Sequence, residues 1–220
     1  MPFNPQRPLL YLITSGETTN QTTAATKDFA SVLRLIEAAV ASGVDLVQIR
    51  EKNLSANVLY KLAGSAAKLT RGSATKLLIN DRSDVAASAG ADGVHLTTYS
   101  LPPDVIRRTF GDEFLIGAST HSLAEATTAR GGGADFLVFG PVFDTPSKRQ
   151  GGEGSGLKSL ERVTSQLAPF PVLALGGIAM SNVADCVQAG AKGVAAIRMF
   201  SDPLELKRVV NEIRETLDKR

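Results

Sequence analysis

The chain has 220 residues, with 24 Lys and Arg against 22 Asp and Glu, for a formal net charge of +2. So small a charge gives no reason to expect binding to nucleic acid or to an anionic membrane surface. Hydrophobic residues make up 43% and charged residues 21%, which is typical of a globular protein, and no apolar run is long enough to predict a membrane-spanning helix.

The N-terminal residues and the cysteine content indicate the expected compartment. The chain begins without a charged region followed by an apolar one, so we predict no signal peptide. Cys186 is the single cysteine, which excludes an internal disulfide and makes the cytoplasm the expected location. Because Cys186 lies between apolar neighbours in a predicted helix, we expect a buried small side chain rather than a nucleophile.

Four segments repeat one pattern, a helix end with glycine followed by a short apolar run. They are residues 41–49, 89–96, 132–139 and 189–197. Glycine at that place is typical of a left-handed residue that ends a helix, and the apolar run is typical of a strand buried on both faces. A unit that returns about every 45 to 55 residues indicates a supersecondary repeat.

In chain order, eight strands are predicted, four of them in the repeats and four between them. They are residues 9–13, 44–49, 76–80, 93–96, 114–118, 136–139, 171–175 and 193–197. Helical patterns separate them, and the last helix opens after Ser201-Asp202-Pro203. Strict alternation forces parallel pairing, so we predict an α/β fold with a single domain over residues 1–220, a parallel eight-stranded (β/α)8 TIM barrel. An open doubly wound sheet would be expected to carry a dinucleotide fingerprint after its first strand, where Thr14-Ser15-Gly16-Glu17 stands instead.

The residues that follow the predicted strands are rich in cations and hydroxyls. The cations are Arg50, Lys52, Lys148, Arg149 and Arg198, and the hydroxyls are those of Ser119, Thr145 and Ser147. Barrel active sites lie at the carboxyl ends of the strands, so these side chains are predicted to meet at one mouth, where they suit a phosphorylated ligand, most simply a diphosphate. Any one of them alone would be read as a solvated surface group.

A second phosphate site is predicted at the last two strands. Gly176 and Gly177 follow strand seven and allow close approach of the backbone, while Ile197 and Arg198 follow strand eight. Barrels often bind phosphate with these two segments.

Asp81, His95 and His121 are the candidates for metal and proton chemistry, and each has a structural alternative. Asp81 could bind Mg²⁺ together with phosphate oxygens, or cap the helix that follows it. His95 ends strand four and could be a packed core residue. His121 stands before a helix that begins at Ser122, where a neutral imidazole could act as acid or base, or serve only the helix N-terminus.

Taken together, the motifs of the chain resemble those of thiamine phosphate synthase and its relative, the thiazole tautomerase, over about residues 10–200. The matching motifs are Gln48-x-Arg50-x-Lys52-Asn53, Asn80-Asp81-Arg82, residues 91–96, Gly117-x-Ser119-x-His121, residues 140–148 and Gly176-Gly177-Ile178. Each motif alone is weak, whereas their order along eight strands is specific.

The resemblance implies a reaction and a set of roles. Hydroxymethylpyrimidine diphosphate would join a thiazole phosphate, releasing diphosphate and forming thiamine phosphate. The residues implied to bind the pyrimidine diphosphate are Gln48, Arg50, Lys52, Asn80, Thr145, Ser147 and Lys148, and Gly177 with its neighbours would take the thiazole phosphate. Asp81 would hold Mg²⁺, and the catalytic residues would be Ser119 and Lys148, with His121 in the tautomerase.

Three departures from the synthase pattern leave other functions open. Residues 97–100 lack the second acidic metal ligand, Arg198 stands where a serine is usual, and the glycine-rich residues 149–156 are closer to the tautomerase. The tautomerase would isomerise a thiazole carboxylate phosphate with His121 as acid and base and would need no metal. A non-catalytic barrel that binds a thiamine precursor is the third hypothesis. The retained Asn80-Asp81 and Thr145-x-Ser147-Lys148 favour the synthase. Barrels of this size occur as monomers and as homodimers, and segment 146–156 is predicted to close over the substrate.

Overall fold

A computed structural model describes residues 5–145 and 154–218 of the chain. Over these residues strands and helices alternate from one end to the other. The strands are β1 (Leu9–Ile13), β2 (Leu46–Ile49), β3 (Lys76–Asn80), β4 (Gly93–Leu96), β5 (Leu115–Thr120), β6 (Phe136–Phe139), β7 (Val172–Leu175) and β8 (Gly193–Ala196). The helices are α1 (Lys27–Ala41), α2 (Ala56–Thr70), α3 (Ser83–Ala89), α4 (Pro103–Phe110), α5 (Leu123–Gly131), α6 (Gly156–Leu167), α7 (Val183–Gln188) and α8 (Leu206–Asp218), with a short 3₁₀ helix at Arg198–Phe200.

The strands form one closed barrel in which every pair is parallel. Each strand pairs with the next in the chain, and β8 returns to β1 with Leu9 opposite Gly193 and Leu12 opposite Ala196. The predicted (β/α)8 barrel is therefore confirmed. Strand β5 extends two residues beyond its predicted end because Ser119 and Thr120 pair with Val138 and Phe139 of β6.

The apolar side chains form two cores, one inside the barrel and one between the sheet and the helices. The inner core contains Leu9, Tyr11, Ile13, Leu46, Leu78, Phe136, Val138, Leu173 and Ala195. The outer core receives alternate strand residues and one face of each helix, as with Phe29, Ile36 and Ala39 of α1, which lie at helical spacing. This two-sided burial explains why the strands are nearly continuous apolar runs.

The four repeats share the predicted local geometry. Gly43, Gly90, Gly133 and Gly190 all have left-handed backbone, with φ between 74° and 90°, and each stands three positions before the first residue of the strand in its repeat. A residue with a Cβ rarely adopts this conformation, so glycine stops each helix and turns the chain back toward the barrel.

Cys186 is fully buried in α7, and burial raises the pKa of its thiol to about 11, which agrees with a packing role. Among the helices of residues 5–145 and 154–218, none has the length and apolar character needed to cross a membrane.

A candidate active site at the barrel mouth

A cavity of about 440 Å³ opens at the carboxyl ends of the strands. It collects residues from the carboxyl ends of all eight strands, which are distant in the chain. The predicted site residues that line it are Gln48, Arg50, Lys52, Asn80, Ser119, His121, Thr145, Gly176, Gly177, Ile197 and Arg198. Asp81 lies outside its lining, and Ser147, Lys148 and Arg149 fall outside the described residues. The structure thus brings most of the predicted set together, while their roles stay predictions.

Within the part of the chain that the structure describes, three cations line the cavity, Arg50, Lys52 and Arg198. Arg50 and Lys52 follow β2, and the backbone N–H of Arg50 donates to Thr14 Oγ1 at 2.9 Å, which anchors this segment to the end of β1. Arg198 follows β8, and its Nη2 donates to Thr145 Oγ1 at 3.2 Å, so that its guanidinium reaches across to the segment after β6. The convergence of like charges on one concave surface is unfavourable unless an anion offsets it.

The floor of the cavity is a continuous set of hydrogen bonds between polar side chains of the inner barrel. Tyr11 Oη lies 3.1 Å from both Gln48 Oε1 and His95 Nδ1. His95 Nε2 lies 2.9 Å from Ser119 Oγ, and Gln48 Nε2 donates to Asn80 Oδ1 at 3.0 Å. Five residues from β1 to β5 are therefore linked beneath the ligand-sized space, where burial makes every unmade hydrogen bond costly.

Burial keeps the two ionisable members of this floor uncharged. It lowers the pKa of His95 from 6.5 to about 3 and raises the pKa of Tyr11 well above 10. His95 is thus a buried core residue, as predicted from its place at the end of strand four, and it also lines the cavity. A neutral imidazole has one donor and one acceptor nitrogen, so it can orient its neighbours but supplies no charge to a ligand.

His121 lies at the rim, directly before α5. Its backbone N–H donates to Glu125 Oε2 at 2.8 Å, and Ser122 caps the helix by accepting from the backbone N–H of Glu125 at 3.2 Å. The ring Nδ1 contacts the carbonyl oxygen of Gly140, which can only accept, so Nδ1 carries the proton. His121 therefore lies at the helix N-terminus and also lines the cavity, while its role as acid or base stays a prediction.

Gly176 and Gly177 leave the wall after β7 without side chains. Both have left-handed backbone, with φ of 98° and 63°. A Cβ at Gly176 would lie 2.4 Å from Pro141 Cβ, and one at Gly177 would lie 2.6 Å from Phe143 Cβ. Glycine is required at both positions, and it leaves bare backbone facing the cavity where a phosphate was predicted.

Asp81 occupies an adjoining depression, which shares Lys52, Asn80, Thr97 and Tyr99 with the main cavity. Its φ is 62°, an uncommon value for a residue with a side chain. Its predicted alternative role as helix cap is wrong, because the residue at the N-cap of α3 is Arg82 and no side chain caps the helix. Over residues 5–145 and 154–218, no three His, Cys, Asp or Glu side chains are grouped so as to hold a metal.

Two buried polar residues support the site and were assigned no role from the sequence. Tyr11 is fully buried in β1, and a tyrosine in an otherwise aliphatic strand is a signal that its hydroxyl has a partner. Glu51, only 4% exposed, accepts from the backbone N–H groups of Gly16 and Thr18 at 3.2 Å and from Thr18 Oγ1 at 2.7 Å. It thereby holds the loop after β1 against the mouth.

Comparisons with known proteins agree on one family. The family model described as thiamine monophosphate synthase matches residues 10–200. The thiamine-phosphate synthase of Methanoculleus marisnigri is 40% identical, covering 83% of this chain and 86% of the relative, and that of Roseiflexus castenholzii is 34% identical, covering 90% and 82%. Among solved structures, thiamine phosphate pyrophosphorylase from Pyrococcus furiosus superposes with a TM-score of 0.77 at 29% identity and covers 96% of each chain.

Proposed function

Because this chain belongs to the thiamine monophosphate synthase family, we propose that it joins hydroxymethylpyrimidine diphosphate to a thiazole phosphate. The thiazole nitrogen forms a bond to the exocyclic methylene carbon of the pyrimidine, and the bond from that carbon to the diphosphate oxygen breaks with both electrons leaving on oxygen. The products are thiamine phosphate and diphosphate. The observation that carries the proposal is the convergence of Arg50, Lys52 and Arg198 on one cavity.

The cations act where negative charge grows as the diphosphate leaves. Arg50 offers a planar fork that suits two phosphate oxygens, and Lys52 beside it offers a compact charge. Because both already line the cavity before a substrate binds, they can stabilise the departing charge without being brought there during the reaction. Ser147 and Lys148, by the family resemblance, would add contacts to the same group from the segment outside the described residues.

The uncharged floor provides the place for the pyrimidine ring. Gln48, Asn80 and Ser119 present amide and hydroxyl groups to a heteroaromatic ring, while Ile13, Leu175 and Ala195 supply apolar wall. A wall without formal negative charge avoids trapping the carbocation-like pyrimidine that forms as the carbon–oxygen bond lengthens. The bare backbone at Gly176 and Gly177, after β7, is left for the phosphate of the thiazole.

Asp81 fits a limited role in binding Mg²⁺. Its carboxylate is exposed, and it makes no hydrogen bond to the residues that the structure describes. One protein carboxylate beside a diphosphate site is enough to bind Mg²⁺, because this ion commonly takes its remaining ligands from phosphate oxygens and water. When bound there, the ion would supply neutralising charge to the diphosphate. The left-handed backbone of Asp81 directs the chain away from β3 at the point where this carboxylate stands.

A coupled assay with defined variants tests the proposal. Purified protein receives the pyrimidine diphosphate and the thiazole phosphate, and thiamine phosphate and diphosphate are both quantified with Mg²⁺ or with EDTA. We expect the two products in equal amounts, only with Mg²⁺, and a loss of at least about 100-fold in kcat/KM for Asp81→Asn. Asp202→Asn, which alters an exposed carboxylate after β8, serves as the matched control and should retain activity.

The same assay separates the two other hypotheses. Isomerisation of a thiazole carboxylate phosphate that survives EDTA and is abolished by His121→Gln would replace the synthase with the tautomerase. Binding of the pyrimidine diphosphate without turnover of either substrate set would leave the non-catalytic barrel.

A further inference from the structure

The hydrogen-bonded floor of the cavity runs without a break from Ser119 to Asn80. Its order is Ser119 Oγ, His95, Tyr11 Oη, Gln48 and Asn80 Oδ1, with each heavy-atom pair between 2.9 and 3.1 Å apart. Tyr11, at the centre, is fully buried and is not among the residues that line the cavity. It can therefore influence a ligand only through its partners.

The number of protons in this chain of bonds fixes its direction. Tyr11 has one hydroxyl proton, and Gln48 turns its carbonyl oxygen Oε1 toward it, so Tyr11 donates to Gln48 and must accept from His95 Nδ1. The neutral ring then has a bare Nε2, which accepts the proton of Ser119. At the other end Gln48 donates to Asn80 Oδ1, which leaves the Asn80 amide protons free to face the cavity beside Arg50 and Lys52, where an anion would accept them.

We propose that Tyr11 and His95 are positioning residues that hold Ser119 as a hydrogen-bond acceptor and Asn80 as a donor toward the ligand. A ligand group that bonds to Ser119 must then donate, because the serine proton is already committed to His95. Resting on the proposed function, this predicts selection of an amino-substituted pyrimidine, whose exocyclic N–H can donate, over its oxo counterpart, which has a carbonyl oxygen at that place. A protein site with a fixed hydrogen-bond acceptor disfavours a ligand that also presents an acceptor there, because neither group has a proton to share.

The tautomer of His95 tests the direction without any reference to activity. Long-range ¹H–¹⁵N spectra of uniformly ¹⁵N-labelled protein distinguish a protonated ring nitrogen from a bare one, and His121→Gln assigns the two histidines. We expect His95 to carry its proton on Nδ1 and to have a bare Nε2. A proton on Nε2 would reverse every bond in the chain and overturn the inference.

The specificity ratio tests the consequence for the ligand. Affinities for the amino and the oxo pyrimidine diphosphates are measured by titration calorimetry in the wild type, in Tyr11→Phe and in Tyr60→Phe, a control at a half-exposed tyrosine of α2. The wild type and Tyr60→Phe should bind the amino ligand more than about tenfold more tightly than the oxo ligand. A factor of this size corresponds to the gain or loss of one hydrogen bond. In Tyr11→Phe the imidazole is free to change tautomer, and the ratio should fall to about threefold or less.

A second variant guards against a folding defect in the first. His95→Asn keeps a donor near the position of Nδ1 for Tyr11 but removes the acceptor of Ser119, so the ratio should fall in the same way. If both variants weaken the two ligands equally and keep the wild-type ratio, Tyr11 and His95 serve packing alone and the inference is wrong. Absence of turnover in the wild type would instead count against the proposed function. It would leave the assignment of the His95 tautomer untouched, because that measurement does not depend on catalysis.

Discussion

The imidazole of His95 illustrates how strongly one side chain depends on what surrounds it. His95 has an exposed fraction of 2%, packs against the rings of Tyr11 and Phe136, and has no carboxylate among its hydrogen-bond partners. A charged imidazole there would lose its hydration without gaining a counter-ion, so burial lowers its pKa to about 3. The floor of the site is consequently neutral while its rim is cationic.

This shift predicts a loss of stability in mild acid. Between pH 6.5 and about 3 the unfolded chain protonates His95 and the folded chain does not. The contribution of His95 to the free energy of unfolding is therefore fully present above pH 6.5 and is lost as the pH falls through that window. Denaturant unfolding of the wild type at several pH values should show a decline in the free energy of unfolding that is steeper than that of His95→Gln by roughly 1.4 kcal/mol per pH unit. A His95→Gln slope equal to that of the wild type would contradict a buried neutral ring.

The burial of Cys186 predicts slow reaction of its thiol with electrophiles. Its thiol is fully buried and its pKa is raised to about 11, so the thiolate that reacts with electrophiles is scarce and inaccessible. Native protein should therefore react with a thiol reagent at least about 100 times more slowly than protein in denaturant. Fast labelling of the native protein would show that α7 opens far more often than its burial indicates.

At the scale of the elements, three of the four repeats carry an aspartate that joins neighbouring strands at the lower end of the barrel. Asp45, Asp92 and Asp135 accept the backbone N–H groups of Leu10, Leu77 and Ile116 at 2.7, 2.8 and 2.6 Å. Each aspartate also pairs with a cation, Arg7 and Arg214 for Asp45, Lys76 for Asp92 and Arg107 for Asp135. The fourth repeat has Lys192 instead. These contacts fix the stagger between consecutive strands, which a closed barrel requires to be regular.

The most enclosed of these pairs should be the most sensitive to substitution. Arg107 and Asp135 have side chains 18% and 20% exposed, and Arg107 also donates to the carbonyl oxygens of Gly111, Phe114 and Gly133. Asp135→Asn should lower the free energy of unfolding by about 2 kcal/mol because Arg107 keeps its partial burial but loses its counter-ion. Asp104→Asn, which breaks the exposed pair with Arg108, should cost less than about 1 kcal/mol. Equal costs would mean that Asp135 contributes only as a surface charge.

Replacing glycine with alanine is expected to change stability in opposite directions in a strand and in a helix of this barrel. A Cβ at Gly93, the first residue of β4, would lie 1.9 Å from the carbonyl oxygen of Leu115 on β5, so Gly93→Ala should prevent normal strand pairing and destabilise the barrel by several kcal/mol. Gly64, in the middle of α2, has nothing within 4 Å of that position, and Gly64→Ala should raise stability by about 0.5–1 kcal/mol. Thermal unfolding of both variants measures the contrast, and a stable Gly93→Ala protein would contradict the register of β4 and β5.

For the whole molecule, local patterns were sufficient to predict the barrel. The glycine that ends a helix and the apolar run after it are both local signals, and eight alternations leave few ways to close a parallel sheet. Because strand ends in such a barrel meet on one face, the order of Arg50, Asn80, Ser119 and Arg198 along the chain was enough to predict a common mouth.

The connections inside the site could not be predicted in the same way. The link from Ser119 through His95 to Tyr11 depends on side chains that point inward from three strands, and the sequence of each strand does not say which atoms approach within 3 Å. The left-handed backbone of Asp81 and the reach of Arg198 to Thr145 depend likewise on packing between loops. The helix-cap alternative for Asp81 was wrong because the turn after β3 places Arg82, and not Asp81, at the start of α3.

If side chains distant in the chain form one cavity for a diphosphate, as we propose, removal of its cations must weaken binding of that group. The most direct test is the calorimetric affinity for hydroxymethylpyrimidine diphosphate of the wild type, of the double variant Arg50→Gln/Lys52→Gln, and of Lys68→Gln/Arg71→Gln, which removes two exposed cations at the far end of α2. We predict saturable binding by the wild type and the far-end variant and a loss of about 100-fold in the cavity variant, since two charge-assisted contacts contribute together about 3 kcal/mol. Equal affinities in all three proteins would contradict the account.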